Sequence, residues 1–235
     1  MAEWYDIAEH AFEAIVGWVY STAVDPLIYS LGLMSWAERA FDGTSFLVAG
    51  VLQVIATVLV CIPLERLAPV QAYEAYYRRW DKSYHVLLQV ESVALKGKPV
   101  PSVAALVEAM FMAELRNMLL TAGHDARALM LPLTLGVAAG GERFVGIRGR
   151  EEVLKAGDMM IADGAGIISS VLCGPDARTK ITPATTAAVF TVYAPPGIEA
   201  GAVAAHLNDI AAFVRLAAPA AKVTALEVIG GAAGG

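Results

Sequence analysis

The sequence predicts an α+β protein in which a mostly antiparallel sheet with flanking helices follows an apolar helical N-terminal segment. Two observations predict this fold class. Short runs rich in β-branched residues are separated by glycine turns, which is typical of antiparallel strands. Longer runs with apolar residues at helical spacing lie before and after these strands. The helices are therefore expected to flank the sheet.

The elements follow one another along the chain. Helices are predicted at residues 84–96, 102–120 and 199–216, and strands at residues 129–137, 143–147, 159–162, 167–173, 187–193 and 223–229. Gly97 is a C-terminal stop for the first helix, and Ser102 is a candidate N-cap for the second. Residues 72–82, rich in tyrosine and charge, are predicted to be a polar junction, and the final Gly/Ala tail is predicted to be disordered.

The composition is unusually apolar for a soluble protein. Hydrophobic residues make up 57% and charged residues 17%, with a mean hydropathy of +0.57; a typical soluble domain has about half and about a quarter. Through residue 72, two basic residues stand against eight acidic ones, whereas fifteen stand against fifteen from residue 73 onward. The neutral second part excludes a broad basic surface of the kind that binds along a nucleic-acid backbone.

The N-terminal part contains a candidate membrane segment. Residues 46–64 are nineteen uncharged residues, which as a helix measure roughly 28 Å, close to the ~30 Å hydrocarbon core of a bilayer. This predicts a transmembrane helix, with a buried helix of a soluble domain as the alternative. Residues 11–34 are apolar but contain acids and a proline, so they are expected to lie at the membrane interface.

Charge predicts the orientation of this segment. Basic residues follow the apolar run, at Arg66, Arg78, Arg79 and Lys82, and acids precede it. The positive-inside bias then places the C-terminal domain in the cytoplasm, tethered to the inner membrane. Because the N-terminus begins with acids, it is a poor signal peptide. We expect two domains, an apolar helical segment at residues 1–72 and an α+β domain at residues 73–235.

The chain lacks the common metal and cofactor motifs. Its two cysteines, Cys61 and Cys173, lie far apart without CxxC spacing, which argues against a zinc site and against a disulfide scaffold. No pair among the four histidines has the i,i+4 spacing that puts two imidazoles on one helix face. A dinucleotide loop, a P-loop and a GxSxG nucleophile elbow are also absent. The sequence therefore predicts no cofactor and no metal.

Polar residues cluster at three predicted turns. His124 and Asp125 follow a Thr-Ala-Gly run and are interpreted as closing a helix end. Ser169 and Ser170 interrupt an apolar strand. Five more polar residues follow shortly after, at Asp176, Arg178, Thr179, Thr182 and Thr185. Together they predict a substrate pocket at one edge of the sheet.

Each of these signals also has a purely structural interpretation. The Asp125 carboxylate can cap backbone amides in a turn. A salt bridge between Asp176 and Arg178 can close a solvated turn, and the serine pair can belong to the sheet alone. Asp158 and Asp163 are expected to shape turns.

Several motifs in the second part occur in the order found in a known module. They are ESVALKGKPVPSVAALVEAM, MAELRNMLLTAGHD, GGERFVGIRG, LKAGDMMIADGAGIISS, GPDARTKITPAT and FTVYAPPGI. Over about residues 73–218 the chain thus resembles the stand-alone type of B3/B4 domain, the editing domain of the phenylalanyl-tRNA synthetase β subunit. The resemblance implies an α+β domain that hydrolyses or binds the ester between a wrong amino acid and a tRNA 3′ end. Its partner would be that tRNA end or an aminoacyl small molecule.

The resemblance also implies site residues. His124 and Asp176 are the candidate catalytic residues, which would orient a pocket-held water rather than form a covalent intermediate. The candidate substrate-binding residues are Asp125, Ser169, Ser170, Arg178, Thr179 and Thr182. The chain departs from the family in two places. Gly174-Pro175-Asp176 replaces a Gly-Gly-Glu turn, and His124 directly precedes Asp125 instead of lying three residues before it.

The N-terminal part resembles a different family. Its AFDGTSFLVAGVLQVIATVLVCIPLERLAPV run is similar to the start of bacterial sterol desaturase/fatty acid hydroxylase proteins, whose two irons are bound by histidine boxes. The chain has no such box. Three functions therefore stay open: an editing-like domain, a non-catalytic small-molecule or RNA-binding module of the same fold, and an inactive desaturase-like remnant fused to it. The oligomeric state is not predicted.

Overall fold

The fold is α+β with antiparallel sheets, as the sequence predicts. The structure is a computed structural model, which describes residue 64, residues 66–94 and residues 104–229. Its helices are α1 (Ala68–Arg78), α2 (His85–Ala94), α3 (Ala105–Asn117) and α4 (Ala200–Ala217). Its strands are β1 (Thr121–Asp125), β2 (Thr134–Val137), β3 (Arg143–Val145), β4 (Glu151–Val153), β5 (Met159–Asp163), β6 (Gly166–Ser170), β7 (Gly174–Pro175) and β8 (Ala188–Val192).

The strands form three antiparallel groups. A four-stranded sheet has the order β2-β5-β6-β7, while β1 pairs with β8 and β3 pairs with β4. Two isolated bridges, Gly146 with Asp176 and His124 with Lys180, connect the groups through residues 176–180. This short segment therefore touches both two-stranded pairs and continues β7 of the larger sheet.

Helix α1 replaces the predicted polar junction at residues 72–82. A proline in its first turn presets a helical φ, and the helix ends near Arg79. Val70, Tyr73 and Tyr77 recur at helical spacing and are almost fully buried, so the tyrosines of this segment belong to the core. The expected domain border between residues 72 and 73 falls inside this helix.

The buried tyrosines place their hydroxyls on backbone groups. Tyr73 stacks on Tyr84 with ring centroids 4.4 Å apart, and Tyr84 donates to the Met118 carbonyl at 2.9 Å. Tyr73 donates to the Tyr193 carbonyl and accepts from the Leu120 N–H. Burial raises the pKa of the Tyr73 and Tyr84 hydroxyls, which keeps them protonated. These bonds join α1 to the segment before β1 and to the end of β8.

The C-terminal end of α1 places a cation against two aromatic rings. The guanidinium of Arg79 lies 4.1 Å from the Tyr76 ring centroid and 4.3 Å from that of Trp80. Such stacking over two aromatic rings is favourable. Trp80 packs in turn against the main hydrophobic core.

Helices α3 and α4 pack against each other beside β1. α4 lies within one residue of the predicted helix at 199–216. α3 was predicted to continue to about residue 120, but it ends at Asn117 because Met118 has a left-handed backbone, with φ 55°. The break turns the chain into β1 and brings Thr121 to 2.7 Å from Nε2 of His206 on α4.

Other predicted elements differ in extent or type. Residues 121–125, interpreted as a helix end, are a strand, and the run at 129–137 is a strand only at Thr134–Val137. β4 and β7 were not predicted. The predicted final strand at residues 223–229 is wrong, since these residues have no regular structure. Gly97, Ser102 and the Gly/Ala tail lie outside the described residues.

The predicted transmembrane helix at residues 46–64 and the interfacial segment at residues 11–34 also lie outside the described part, except for Leu64, which is buried. Among the helices that the structure describes, none combines the length and the apolar character needed to cross a bilayer.

Candidate functional site

The candidate site forms where residues 176–180 run alongside β1. The Asp125 N–H donates to the Thr179 carbonyl at 2.7 Å, and the Asp176 N–H donates to the Ile168 carbonyl of β6 at 2.7 Å. The segment is thus fixed between β1 and β6. Two residues predicted for the site, His124 and Ser169, project toward it from these strands.

His124 is fully buried and bonded at both ring nitrogens. Nδ1 lies 2.7 Å from Oγ1 of Thr179, and Nε2 lies 3.3 Å from Oγ of Ser169. Burial lowers the pKa of His124 to about 4, against the opposing effect of the carboxylates of Asp176 and Asp163. The imidazole is therefore neutral at pH 7.

The partners fix the tautomer of this imidazole. Thr179 donates its hydroxyl to Oδ1 of the buried Asp176 carboxylate, which also accepts the Thr179 N–H at 3.0 Å. Thr179 Oγ1 must then accept from Nδ1–H of His124, which leaves the Nε2 lone pair to accept from Ser169. Ser169 in turn lies 2.5 Å from the Tyr193 hydroxyl. One relay of hydrogen bonds thus runs from Asp176 to Tyr193, and we call these five residues the buried relay.

Arg178 closes the site on its outer side. Its guanidinium donates to the Asp163 carboxylate at 2.7 Å and to the Ala128 carbonyl at 2.7 Å. Its Nε lies 3.8 Å from Oδ2 of Asp176, so the predicted salt bridge is present but long. The Arg178 side chain is 39% exposed, whereas the Asp163 side chain is fully buried.

The backbone of its turn and the guanidinium of Arg178 together set the pKa of the Asp163 carboxyl. Although burial raises its pKa, hydrogen bonds from Arg178, Met130 and Ala165 outweigh burial and hold the pKa of Asp163 below its usual range. The bond from the Ala165 N–H, two residues later, confirms its expected part in shaping a turn. Its ion pair with Arg178 was not predicted.

Asp125 lies on the other face of β1 from His124, because successive strand residues alternate. Its carboxylate accepts from the Thr185 hydroxyl at 2.7 Å and from the Arg127 N–H at 2.9 Å. These bonds lower the pKa of Asp125. The Thr182 N–H donates to Thr185 Oγ1 at 3.0 Å. The structural interpretation of Asp125 as a cap of turn amides is confirmed, and the three side chains form a separate, partly exposed outer cluster.

Ser170 belongs to neither group. Its hydroxyl oxygen accepts from the Cys173 N–H at 3.1 Å in the turn after β6. Burial raises the pKa of the nearby Asp158, and hydrogen bonds from Tyr76 and Ser170 oppose this effect. Ser170 thus shapes the β6–β7 turn instead of facing His124.

The structure therefore divides the eight predicted site residues into two clusters and two single residues. His124, Ser169, Thr179 and Asp176 form the buried relay; Asp125 and Thr182 belong to the outer cluster; Arg178 bridges the relay to Asp163; and Ser170 is elsewhere. The relay also contains Tyr193, which the sequence did not single out. Its only signal was a polar aromatic residue at the end of a β-branched strand.

Accessibility distinguishes the two clusters. His124, Ser169 and Thr179 are 0% exposed and Asp176 is 4% exposed, whereas the outer cluster reaches solvent. A shallow cleft of about 340 Å³ lies elsewhere, lined by Glu74, Arg78, Asp81, Lys82 and Ser83. Within the described residues, no group of three or more His, Cys, Asp or Glu side chains is arranged to hold a metal ion.

A comparison of the chain with known proteins finds no matching family model and no significant match to a protein of established function.

Proposed function

We propose that the chain binds the aminoacyl end of a charged tRNA, as the resemblance of residues 73–218 to B3/B4 editing domains implies. The observation that carries the proposal is the buried relay, which joins β1, β6 and residues 176–180 through consecutive hydrogen bonds. Such a relay rigidly positions the polar turn beside β1. The side chains that a ligand can reach are those of the outer cluster and Arg178.

The outer face of β1 offers the chemistry of an amino acid. Asp125 supplies a partly exposed carboxylate for an α-ammonium group, and Thr185 holds it in place. On the same face, two residues earlier, Gly123 is flanked by Met110, Phe190 and Ile181, whose atoms lie 2.7–3.3 Å from where a Cβ would stand. This close packing leaves no space for a ligand at Gly123 itself, so the group that the outer cluster can recognise is the α-ammonium of the aminoacyl ester, through the Asp125 carboxylate.

Hydrolysis of the bound ester is the second candidate function. The observation that favours it is the order carboxylate, threonine, histidine, serine in the relay, which leaves Nε2 of a neutral imidazole as a proton acceptor. A water oriented by His124 or Asp176 would be the nucleophile. Because His124 and Asp176 are both buried, binding at the outer cluster is the first candidate function and hydrolysis is the second.

The test compares tRNAs with and without an amino acid. The full chain is titrated with a panel of correctly charged, mischarged and uncharged tRNAs. We expect at least one charged tRNA to bind more tightly than its uncharged form. Asp125→Asn should weaken that preference by about tenfold, the loss of one charge-assisted contact of about 1.4 kcal/mol. Asp81→Asn, an exposed aspartate remote from β1, is the matched control. Equal binding of charged and uncharged tRNAs, or no binding, would refute the proposal.

The same tRNAs decide whether hydrolysis occurs. Release of the amino acid is measured with the full chain and with His124→Gln, whose amide retains hydrogen bonding in the relay. Selective release from one mischarged tRNA that disappears in a folded His124→Gln chain establishes hydrolysis. Absence of release from every tRNA, with charged tRNA still bound, identifies a binding module.

A further inference from the structure

Strand β2 is an edge strand of the four-stranded sheet. Among the described residues its only strand partner is β5, so its other side presents free N–H and C=O groups. Leu135 and Val137 lie on one face of the strand and are 60% and 64% exposed. β2 contains neither a charged residue nor a proline, the usual means by which proteins prevent pairing at a sheet edge. The opposite edge, β7, is only two residues long and includes Pro175.

The chain also carries a free segment able to form a strand. Residues 222–229, KVTALEVI, follow α4 without regular structure, and they are exposed throughout. They form no hydrogen bond with any other residue that the structure describes. Val223, Leu226, Val228 and Ile229 are all at least 37% exposed. Val223, Thr224, Val228 and Ile229 are β-branched, a residue type that favours strands.

The position of the free segment favours pairing with β2 of a second copy over pairing with β2 of the same copy. Residues 222–229 leave the end of α4, which packs against α3 and β8. β8 pairs with β1, whereas β2 belongs to the other sheet. The free segment thus starts beside β8, which is itself an edge strand but has half-buried residues, whereas the exposed β2 edge lies on another sheet.

We propose that residues 223–229 of one copy add as an antiparallel or parallel strand to the β2 edge of a second copy, and that the exchange is reciprocal. Backbone hydrogen bonds would form along the edge, and Leu226 and Val228, which share a face, would cover Leu135 and Val137. A reciprocal exchange gives a closed two-fold dimer in which the β2 edge of each copy is paired. This proposal is independent of the tRNA proposal.

The first test measures mass in solution. Sedimentation velocity of the full chain over a range of concentrations should show a dimer. Val137→Lys at the edge and Val228→Lys in the free segment should each weaken dimerisation by tenfold or more, because either charge would be buried in the new strand pair. Leu88→Lys, at a 49% exposed leucine of α2, is the control and should remain dimeric. A monomeric unmodified chain, or dimers unaffected by both substitutions, would overturn the proposal.

The second test identifies the two surfaces directly. Chains with Cys61→Ser and Cys173→Ser receive either Val137→Cys or Val228→Cys, and the two are mixed under mild oxidation. Both sites are exposed, so folding should be retained, as circular dichroism would show. We expect a cross-linked product of twice the chain mass from the mixture and much less from either chain alone. A third chain carries both Val137→Cys and Val228→Cys. If a disulfide forms only within this chain, and none forms between chains in the mixture, the free segment pairs with β2 of its own molecule and the dimer is rejected.

Discussion

Glu114, buried on α3, accepts the backbone N–H of Thr121 at 2.7 Å just where β1 begins. The hydroxyl of the same threonine lies 2.7 Å from Nε2 of His206 on α4. Burial raises the pKa of Glu114 to about 8 and lowers that of His206 to about 4. At pH 7 both side chains are therefore neutral, and each should make stability depend on pH, in two windows of opposite sign that overlap between about pH 4.5 and pH 6.5.

Glu114→Gln tests the window between about pH 4.5 and pH 8. In the unfolded chain Glu114 loses its proton near pH 4.5, but in the folded protein it does so only near pH 8. Between these values the unfolded state binds fewer protons at this site, so Glu114 lowers the free energy of unfolding as pH rises, and this contribution levels off above about pH 8. It is seen alone above pH 6.5, where the buried histidines no longer oppose it. The substitution should remove this slope and stabilise the protein at pH 8. Urea unfolding at several pH values measures it, and an unchanged slope would contradict the assignment.

His206→Gln tests the acid window. The unfolded histidine gains a proton below its ordinary pKa of 6.5, whereas the folded one resists until about pH 4. The contribution of His206 to stability is therefore lost as pH falls from 6.5 to 4, against the opposite contribution of Glu114. The substitution should reduce the slope in this window and leave the slope above pH 7 unchanged. His124, also with a pKa of about 4, should account for much of the remaining slope.

Thr179→Val examines the buried relay. Valine keeps the shape of threonine but removes the hydroxyl that joins Asp176 to His124. Two buried polar atoms then lose a partner, and we expect a cost of about 1–3 kcal/mol in the free energy of unfolding. Thr186→Val, at an exposed threonine, is the control and should change stability by less than about 0.5 kcal/mol. Equal effects of the two substitutions would show that the hydroxyl is not needed.

Arg178→Gln removes the cation that pairs with the buried carboxylate of Asp163. Because Arg178 is partly exposed, solvent screens part of the loss, and we expect destabilisation of about 1–3 kcal/mol. Asp163 has a lowered pKa, so the ion pair stabilises the protein above the unfolded pKa of aspartate and is lost in acid. The difference from the unmodified chain should therefore shrink toward pH 3. Arg116→Gln, in the exposed pair with Asp209, should cost less than about 1 kcal/mol.

Gly123→Ala should be destabilising, whereas Gly201→Ala should not. A Cβ at Gly123 would lie 2.7 Å from Cδ1 of the buried Ile181, so side chains must shift, at about 1–2 kcal/mol. Gly201 has no atom near the position of an added Cβ and lies in the first turn of α4. Alanine there should raise the free energy of unfolding by up to about 1 kcal/mol, through helix propensity. Thermal unfolding of both variants is the measurement.

Local patterns predicted part of this fold. Apolar spacing located α4 to within one residue, because one face of this helix meets the core, and short apolar runs between turns located β5 and β8. The same reasoning failed at β1, since Thr-Ala-Gly-His-Asp has few β-formers and becomes a strand only through pairing with β8. It failed at α1 as well, where tyrosine hydroxyls bond to backbone groups far along the chain and make a polar-looking segment part of the core.

Prediction of the site met the same limit. The sequence identified His124, Ser169, Thr179 and Asp176, which do lie together, from their positions near turns. It did not identify Tyr193 or the Glu114–His206 pair, because their contacts depend on residues dozens of positions away. Nor did it separate the buried relay from the outer cluster, because Asp125 was assigned to a helix end and not to a strand with alternating faces.

Trp80 provides a fluorescence signal that reports on the C-terminal end of α1. It packs against the core at the end of this helix, beneath the guanidinium of Arg79, and the other three tryptophans all lie at or before residue 36. With Trp4, Trp18 and Trp36 replaced by phenylalanine, the fluorescence of the chain would come from this one indole. Its emission would shift to longer wavelength when α1 detaches and water reaches the ring. The unfolding of α1 could therefore be timed separately from the unfolding of the sheets.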